Sequence, residues 1–163
     1  MADNKPRHLK RSEDYYIKRL LQEIVIREVM TSPVITVDVD ADFKEVPQKL
    51  IRHHVRHLPV TGGDRKLVGL ISQRDLFRIH PPRKTDDGEF VYDEEAMAGI
   101  ILKHVMAREP FFMKEDQSIG DAAVQFVEKK YGCIPIVNDD MQITGILTQE
   151  DILRVAVQIY QEQ

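Results

Sequence analysis

Two short segments of the chain place a hydroxyl and a carboxylate three residues apart: Ser72 with Asp75, and Thr148 with Asp151. Each segment follows an apolar run, so we expect a strand to end and a helix to begin there. A helix start offers free backbone N–H groups and the positive end of the helix dipole, which both favour an anion. A carboxylate in that first turn can also accept hydrogen bonds from hydroxyl groups of a ligand. These segments are therefore candidates for binding a small polar ligand.

The same spacing is also typical of a capping box, which needs no ligand. There the Ser or Thr at the helix start accepts a hydrogen bond from a backbone N–H in the first turn, and the acid three residues later binds back to the cap. Both segments fit that arrangement as well. The pattern alone leaves capping and ligand binding open.

Positive charge is concentrated in the part of the chain that holds the first segment. The whole chain has 23 Lys and Arg residues against 27 Asp and Glu, a net charge of −4. Residues 48–84, however, contain nine Lys and Arg residues and two acids, whereas residues 86–151 contain fifteen acids and five Lys and Arg residues. Two oppositely charged surfaces that help halves or subunits dock would give this distribution. A local anion site that includes Arg56, His57 and Arg74 would give it too, because Arg binds phosphate and His can tune affinity near neutral pH.

The elements that would position these groups occur twice, at a constant offset of 76 residues. Three blocks align at that offset: 29–30 with 105–106, 58–60 with 134–136, and 69–76 with 145–152. Because one offset carries all three blocks, we interpret the chain as two copies of one unit. A single copy would leave one face of a short sheet exposed, whereas two copies can pack together and bury a shared core.

Each copy is predicted to fold in the order β-α-β-β-α. The first helix follows a cap, Asp42 or Ser118, and the second follows Ser72 or Thr148. Pro47 conflicts with a helix interior, where proline costs about 3 kcal/mol, so that helix either starts late or is kinked. The predicted strands are 34–37, 58–61 and 67–71 in the first copy, and 111–113, 134–137 and 143–147 in the second.

The remaining segments complete the domain organisation. Residues 1–25 are predicted to form a basic tail, disordered over 5–11, and an amphipathic helix over 12–25. Proline and polar residues after position 80 indicate a linker, and Tyr92–Ile101 is predicted to begin a returning helix. The resulting domains are 1–25 (tail and helix), 26–80 (repeat 1), 81–101 (linker and returning helix), 102–158 (repeat 2) and 159–163 (C-terminal tail).

The combination of motifs in both copies resembles the cystathionine beta-synthase domain, or CBS domain, present as a tandem pair (a Bateman module). The resemblance rests on the opening Val-Met, the apolar-Pro-apolar strand and the closing Gly-apolar-apolar-Ser/Thr-x-x-Asp, and it covers about residues 24–158. It implies a mixed α+β fold in which two βαββα repeats pack about a pseudo-twofold axis and leave two clefts between them. It also implies that AMP, ADP, ATP or S-adenosylmethionine binds there as a regulatory ligand, with no obligatory cofactor. Modules of this family commonly form homodimers and regulate an attached or separate effector protein.

The resemblance further implies roles for individual residues, with the Asp of each copy on the ribose and the segment before each central proline on the adenine. Ordinary core residues at a strand start are the alternative for that segment. Thr36 matches a position whose hydroxyl often reaches the ligand. The candidate ligand-binding residues are Thr36, Arg56, His57, Leu58, Ser72, Arg74, Asp75, Cys133, Ile134, Thr148 and Asp151.

The two sites are not expected to be equivalent. The counterpart of Thr36 is Phe112 or Met113, and the proline before it is displaced by one residue, so copy two departs from the pattern. Copy one also carries the cations. We therefore expect the cleft of Asp75 to bind a phosphorylated adenosine and the cleft of Asp151 to bind more weakly or to take a less charged ligand.

Other functions are less well supported by the sequence. His53 and His57 have a zinc-ligand spacing, but no third ligand lies nearby. Cys133 is predicted to be a buried, unreactive thiol. Because the sequence shows no nucleophile–base pair and no metal–carboxylate cluster, we do not expect an enzyme. A nucleic acid could follow the basic stretch, but Phe77 is its only aromatic residue, so stacking is poorly supported. A dimerisation scaffold that binds no ligand is the main alternative.

The location of the chain is predicted from what it lacks. No apolar run approaches the roughly 20 residues of a membrane helix. The polar N-terminus does not fit a secretory signal, and a single cysteine fits a reducing compartment. We therefore expect a cytoplasmic protein without a membrane partner.

Overall fold

The computed structural model describes residues 11–161 and contains the doubled unit that the sequence predicts. Its helices are α1 (Arg11–Glu23), α2 (Glu45–Arg52), α3 (Gln73–Ile79), α4 (Leu102–Val105), α5 (Ile119–Lys129) and α6 (Gln149–Gln161). Its strands are β1 (Val37–Asp38), β2 (His57–Thr61), β3 (Leu67–Ser72), β4 (Arg83–Lys84), β5 (Phe90–Val91), β6 (Ala107–Arg108), β7 (Met113–Lys114), β8 (Cys133–Val137) and β9 (Ile143–Thr148). The mixed α+β fold predicted for a pair of repeats is confirmed.

The two repeats build separate sheets with the same register. One sheet has the strand order β1-β2-β3-β6, and the other has the order β7-β8-β9. The antiparallel pairing of β2 with β3 places His57 opposite Ser72, and that of β8 with β9 places Cys133 opposite Thr148. In both sheets the first strand runs parallel to the second. Because these pairs recur 76 residues later, a pseudo-twofold axis relates the repeats.

The axis passes close to the contact between Lys66 and Gln142, which occupy equivalent positions in the two repeats. These residues form an isolated antiparallel bridge. The adjacent backbone N–H of Leu67 donates to the carbonyl of Met141 at 3.0 Å. The turns before β3 and β9 therefore join the two sheets directly.

The segment that opens each repeat joins the sheet of the other repeat. Thr31 exchanges both backbone hydrogen bonds with Ile146 in β9, at 2.9 and 3.1 Å. Ala107 in β6 pairs in the equivalent way with Leu70 in β3. The sequence boundaries of a repeat therefore differ from the spatial boundaries of its sheet.

Two methionine–glycine contacts support this exchange. The thioether of Met30 lies where a β-carbon on Gly145 would be, and that of Met106 lies where a β-carbon on Gly69 would be. Because these two strand residues have no side chain, the opening segment can approach the sheet closely.

The hydrophobic core follows the same exchange. Ile26 is fully buried in the core of repeat 2, together with Phe126 of α5 and Ile134 of β8. Leu102, which opens repeat 2, packs in the core of repeat 1 with Leu58 and its neighbours. Each repeat therefore contributes apolar side chains that its partner needs to bury its sheet.

Ser118 caps α5 as predicted, but the prediction that Asp42 caps α2 was wrong. The hydroxyl of Ser118 accepts the backbone N–H of Asp121 at 3.1 Å. In contrast, α2 begins only at Glu45, and Asp42 instead accepts the N–H of Lys44 within a turn. Pro47 consequently lies in the first turn, where its missing N–H costs no helical hydrogen bond.

Three other segments differ from the prediction. The polar linker pairs β4 with β5 in a hairpin, because Thr85 and Gly88 close a tight turn. Tyr92–Ile101 forms successive turns rather than a helix, although Met97 is buried in the core of repeat 1. The predicted tail at 159–163 is helical as far as Gln161. The predicted disorder over 5–11 lies almost entirely outside the described residues.

Candidate functional site

A cleft of about 490 Å³ lies between the two repeats and contains Asp151, so we call it the Asp151 cleft. Its volume is within the range of pockets that hold small molecules. One wall comes from the segments before β1 and β2, and the other from the end of β9 and the start of α6. The lining residues are Thr31, Pro33, Val34, Ile35, His54, Val55, Arg56, His57, Gly132, Ile146, Thr148, Gln149, Glu150, Asp151, Leu153 and Arg154.

Asp151 holds the start of α6 and faces the cleft at the same time. Its Oδ2 accepts hydrogen bonds from the backbone N–H and the hydroxyl of Thr148, both at 2.7 Å. Its Oδ1 has no hydrogen-bond partner among the described residues, and the residue is 5% exposed. One carboxylate oxygen is thus used for capping, and the other is available to a ligand.

The chain brings residues of repeat 1 into this cleft because of the exchange between the sheets. Pairing of Thr31 with Ile146 lays the following residues, Pro33 to Ile35, along the edge of the repeat 2 sheet. Ile35 and Val55 then give the cleft an apolar wall opposite Asp151. A flat apolar group would be covered by this wall while its polar substituents reach the start of α6.

Cationic and titratable side chains line the same cleft. Arg56, His54 and His57 come from repeat 1, and Arg154 comes from α6. Arg154 pairs with Glu150 at 3.0 Å, but both side chains are mostly exposed, so this ion pair holds the guanidinium only weakly. The cleft can therefore offer positive charge to an anionic group.

His57 is partly buried at the junction of the repeats. Burial lowers its pKa from the usual range, nearby Asp75 opposes that change, and Arg56 and Arg74 add to it. Desolvation disfavours the charged imidazole, so the folded protein favours the neutral form of His57. A phosphate brought close to the ring would favour its protonation.

The other predicted pair, Ser72 and Asp75, forms a complete capping box at the start of α3. The backbone N–H of Ser72 donates to Oδ2 of Asp75 at 3.0 Å, and its hydroxyl donates to the same oxygen at 2.5 Å. The backbone N–H of Asp75 donates back to the hydroxyl at 3.2 Å. The capping interpretation is thus correct here, and it leaves Oδ1 without a hydrogen bond from the described residues.

The remaining predicted residues fall into two groups. The side chains of Leu58, Cys133 and Ile134 are buried in the cores, so only their backbones could meet a ligand. Burial raises the pKa of the Cys133 thiol to about 12. Thr36 is partly buried next to the lining residue Ile35, and its carbonyl accepts a hydrogen bond from Lys49.

The expectation that Arg56 and His57 accompany Asp75 stays a prediction. Both residues line the Asp151 cleft, and Asp75 is also near enough to oppose the lowering of the His57 pKa. The altered segment 110–113 belongs, by the pseudo-twofold relation, to the cleft of Asp75. The expected inequality of the clefts stays a prediction.

Several lining residues were missed by the sequence analysis, and some of them had a usable signal. Arg154 lies one helical turn after Asp151 and therefore on the same face of α6. Val55 and His54 precede the predicted Arg56 directly.

In the part of the chain that the structure covers, no three His, Cys, Asp or Glu side chains are placed to hold a metal ion. No helix of that part is long and apolar enough to cross a membrane.

Comparison with known proteins finds curated proteins and solved CBS pairs that are similar to this chain, and three examples follow. L-aspartate semialdehyde sulfurtransferase of Methanocaldococcus jannaschii is 24% identical over 131 residues, which cover 80% of this chain and 23% of that protein. The chain thus spans about a quarter of that relative's length. CBSX2 of Arabidopsis thaliana, solved in complex with AMP, superposes with a TM-score of 0.70 at 24% identity, covering 84% of this chain and 98% of that one. The CBS domain pair of protein MJ0100, solved with 5′-methylthioadenosine and S-adenosyl-L-methionine, gives a TM-score of 0.65 at 24% identity, covering 80% and 94%.

The family itself is shown by the sequence. The CBS domain matches residues 26–81 and again residues 102–158, which together are more than half of the chain. The two matches coincide with the two βαββα repeats of the fold. This chain therefore belongs to the CBS domain family, in which it is a tandem pair.

Proposed function

We propose that this CBS pair is a regulatory module that binds an adenosine-containing ligand in the Asp151 cleft. The observation that carries the proposal is the free Oδ1 of Asp151, set in a cleft of about 490 Å³ at the start of α6. A carboxylate in that position can accept both hydroxyls of a ribose. The candidate ligands are AMP, ADP, ATP and S-adenosylmethionine.

The walls of the cleft support a ligand with an apolar ring and an anionic tail. Val34, Ile35 and Val55 can cover the faces of a purine, and backbone groups nearby can read its edge. Arg56 and the N-terminus of α6 favour a phosphate. The two similar CBS pairs were solved with AMP and with S-adenosyl-L-methionine, which supports the same ligand class.

The regulatory output would come from the position of the cleft between the repeats. A ligand that touches both repeats favours the relative orientation in which it binds best. A partner protein, or a second copy of the chain, would then respond to that orientation. We propose no catalytic step, because both carboxylates hold helix starts and the Cys133 thiol is buried.

Isothermal titration calorimetry of the full chain with AMP, ATP and S-adenosylmethionine tests the proposal. Asp151→Ala should weaken binding at least about tenfold, since it removes hydrogen bonds to a charged group. Asp121→Ala is the matched control, because Ser118 and Asp121 form the same kind of cap on α5, away from the cleft. Equal losses in both variants would show that only helix capping was affected.

A dimerisation scaffold that binds no ligand is the second candidate. It is favoured because the Ser72–Asp75 and Thr148–Asp151 pairs cap helices without a ligand, and because some apolar side chains are exposed. Val127 of α5 and Tyr160 of α6 are 77% and 81% exposed. A thermal-shift series separates the candidates, because a ligand at 100 times its dissociation constant adds about 2.7 kcal/mol of stability. No shift with any of the three ligands, combined with a dimer in solution, would favour the scaffold.

A further inference from the structure

The pseudo-twofold relation predicts a second cleft at Ser72 and Asp75, which we call the Asp75 cleft, and the sequence gives it a different wall. In the Asp151 cleft, the aliphatic side chains of Ile35 and Val55 line the side that would hold a base. The residues 76 positions later are Phe111 and Tyr131. The first strands of the two repeats share one register, Val37 with Val60 and Met113 with Ile136. We infer from the pseudo-twofold relation that the two aromatic residues lie on the base side of the Asp75 cleft.

Phe111 and Tyr131 are stacked on each other. Their ring centroids lie 5.2 Å apart and their planes differ by 9°. The backbone of Tyr131 is also held from α6, since Gln149 Nε2 donates to its carbonyl at 3.3 Å. Each ring thus already has an aromatic partner, in the offset-stacked arrangement that such pairs prefer.

The spacing of the rings leaves no room for a purine between them. A planar base needs about 3.5 Å on each face, so a sandwich requires ring planes about 7 Å apart. The observed centroid distance is 5.2 Å. A base would have to part the stacked rings before it could enter.

We propose that the Phe111–Tyr131 stack closes the base side of the Asp75 cleft, so that one chain takes one adenosine ligand, at Asp151. This inference rests on the proposed function of the Asp151 cleft. The start of α3 keeps the hydroxyl of Ser72 and the carboxylate of Asp75, so the groups proposed for ribose do not distinguish the clefts. Phe111 and Tyr131 do distinguish the two clefts. They determine how many ligands one chain binds and which cleft the ligand occupies.

Calorimetry on the full chain with ATP as the probe tests this in the wild type. We expect one ligand per chain, an affinity that falls at least about tenfold in Asp151→Ala, and an affinity within about twofold in the cap control Asp121→Ala. Two ligands per wild-type chain would overturn the closure and leave the proposed function standing. A single ligand lost with Asp75→Ala would also overturn it.

Exchanging the two walls provides the decisive variants. The double variant Phe111→Ile/Tyr131→Val gives the Asp75 cleft the same aliphatic wall as the Asp151 cleft. We therefore expect it to bind two ligands per chain. Adding Asp75→Ala to this variant should remove the second ligand. The reciprocal pair, Ile35→Phe with Val55→Tyr, should abolish binding. Binding of only one ligand by the folded Phe111→Ile/Tyr131→Val variant would overturn the role of the stack. No binding by any variant or by the wild type would instead contradict the proposed function.

Discussion

The imidazole of His57, in repeat 1, lies against Gly132, in repeat 2. Its Nε2 is 2.6 Å from the point that a β-carbon on residue 132 would occupy. Real β-carbons do not approach an atom so closely, so a larger residue at position 132 would force the imidazole of His57 to move. The pair joins the repeats at the edge of the Asp151 cleft.

Gly132→Ala should therefore destabilise the protein by about 1–3 kcal/mol, the usual cost of an overpacked site. Urea denaturation measures the change. Gly63→Ala is the control, because a β-carbon there would have no neighbour within 4 Å. Adding His57→Ala to Gly132→Ala should restore part of the loss, and equal stability of the two alanine variants would contradict the contact.

Stability should also depend on pH through His57. Burial lowers the pKa of this imidazole, so the unfolded chain binds a proton more readily than the folded chain does. The contribution of His57 is fully present above its unfolded pKa, near 6.5, and is lost as the pH falls through its folded pKa.

Urea denaturation between about pH 7.5 and pH 5.5 should show that fall in the wild type and a smaller one in His57→Gln. The exposed His53 provides a matched control as His53→Gln. An identical pH profile for the wild type and His57→Gln would show that this imidazole does not titrate as proposed.

The exchange of opening segments predicts where a core mutation acts. Ile26→Ala should cost about 2–5 kcal/mol, because Ile26 is fully buried. The loss should appear in repeat 2, so hydrogen exchange should speed up in β8 and β9 before β2 and β3. Ile51→Ala, at a side chain that is 54% exposed, should change stability by no more than about 0.5 kcal/mol. If hydrogen exchange became faster only in β2 and β3, Ile26 would not support the sheet of repeat 2.

The Cys133 thiol should react slowly in the native protein. Burial raises its pKa to about 12, so almost no thiolate exists near pH 8. Mass spectrometry after treatment with a maleimide should show slow labelling in buffer and rapid labelling in urea. Rapid labelling of the folded chain would mean that the strand start at Cys133 opens readily.

The repeat and its strands could be predicted because they depend on local and periodic signals. The apolar-Pro-apolar pattern at Leu58 and at Ile134 marks the same strand twice, and Ser118 marks a cap directly. Asp42 carries the same kind of signal, but its side chain is used in a turn before α2. A local pattern cannot distinguish a cap from such a turn, since both use the same hydrogen bond to a nearby N–H.

The composition of the clefts could not be read from the repeat, because it depends on which sheet each opening segment joins. That choice is decided by packing between distant residues, such as Met30 on Gly145. Arg56 and Asp75 are 19 positions apart in sequence, whereas Arg56 and Asp151 line one cleft. Proximity in sequence to Asp75 therefore did not indicate that Arg56 also lines the cleft of Asp151.

The bridge from Thr31 to Ile146, together with its counterpart from Ala107 to Leu70, makes the two halves of the chain depend on each other. A protease cut at the exposed turn between β4 and β5 would yield two fragments, and each would keep a segment whose backbone pairs with the sheet of the other. The fragments should stay associated after cleavage and should reassemble when expressed separately. This interlocking would let the protein serve as a split reporter whose halves find each other through backbone pairing.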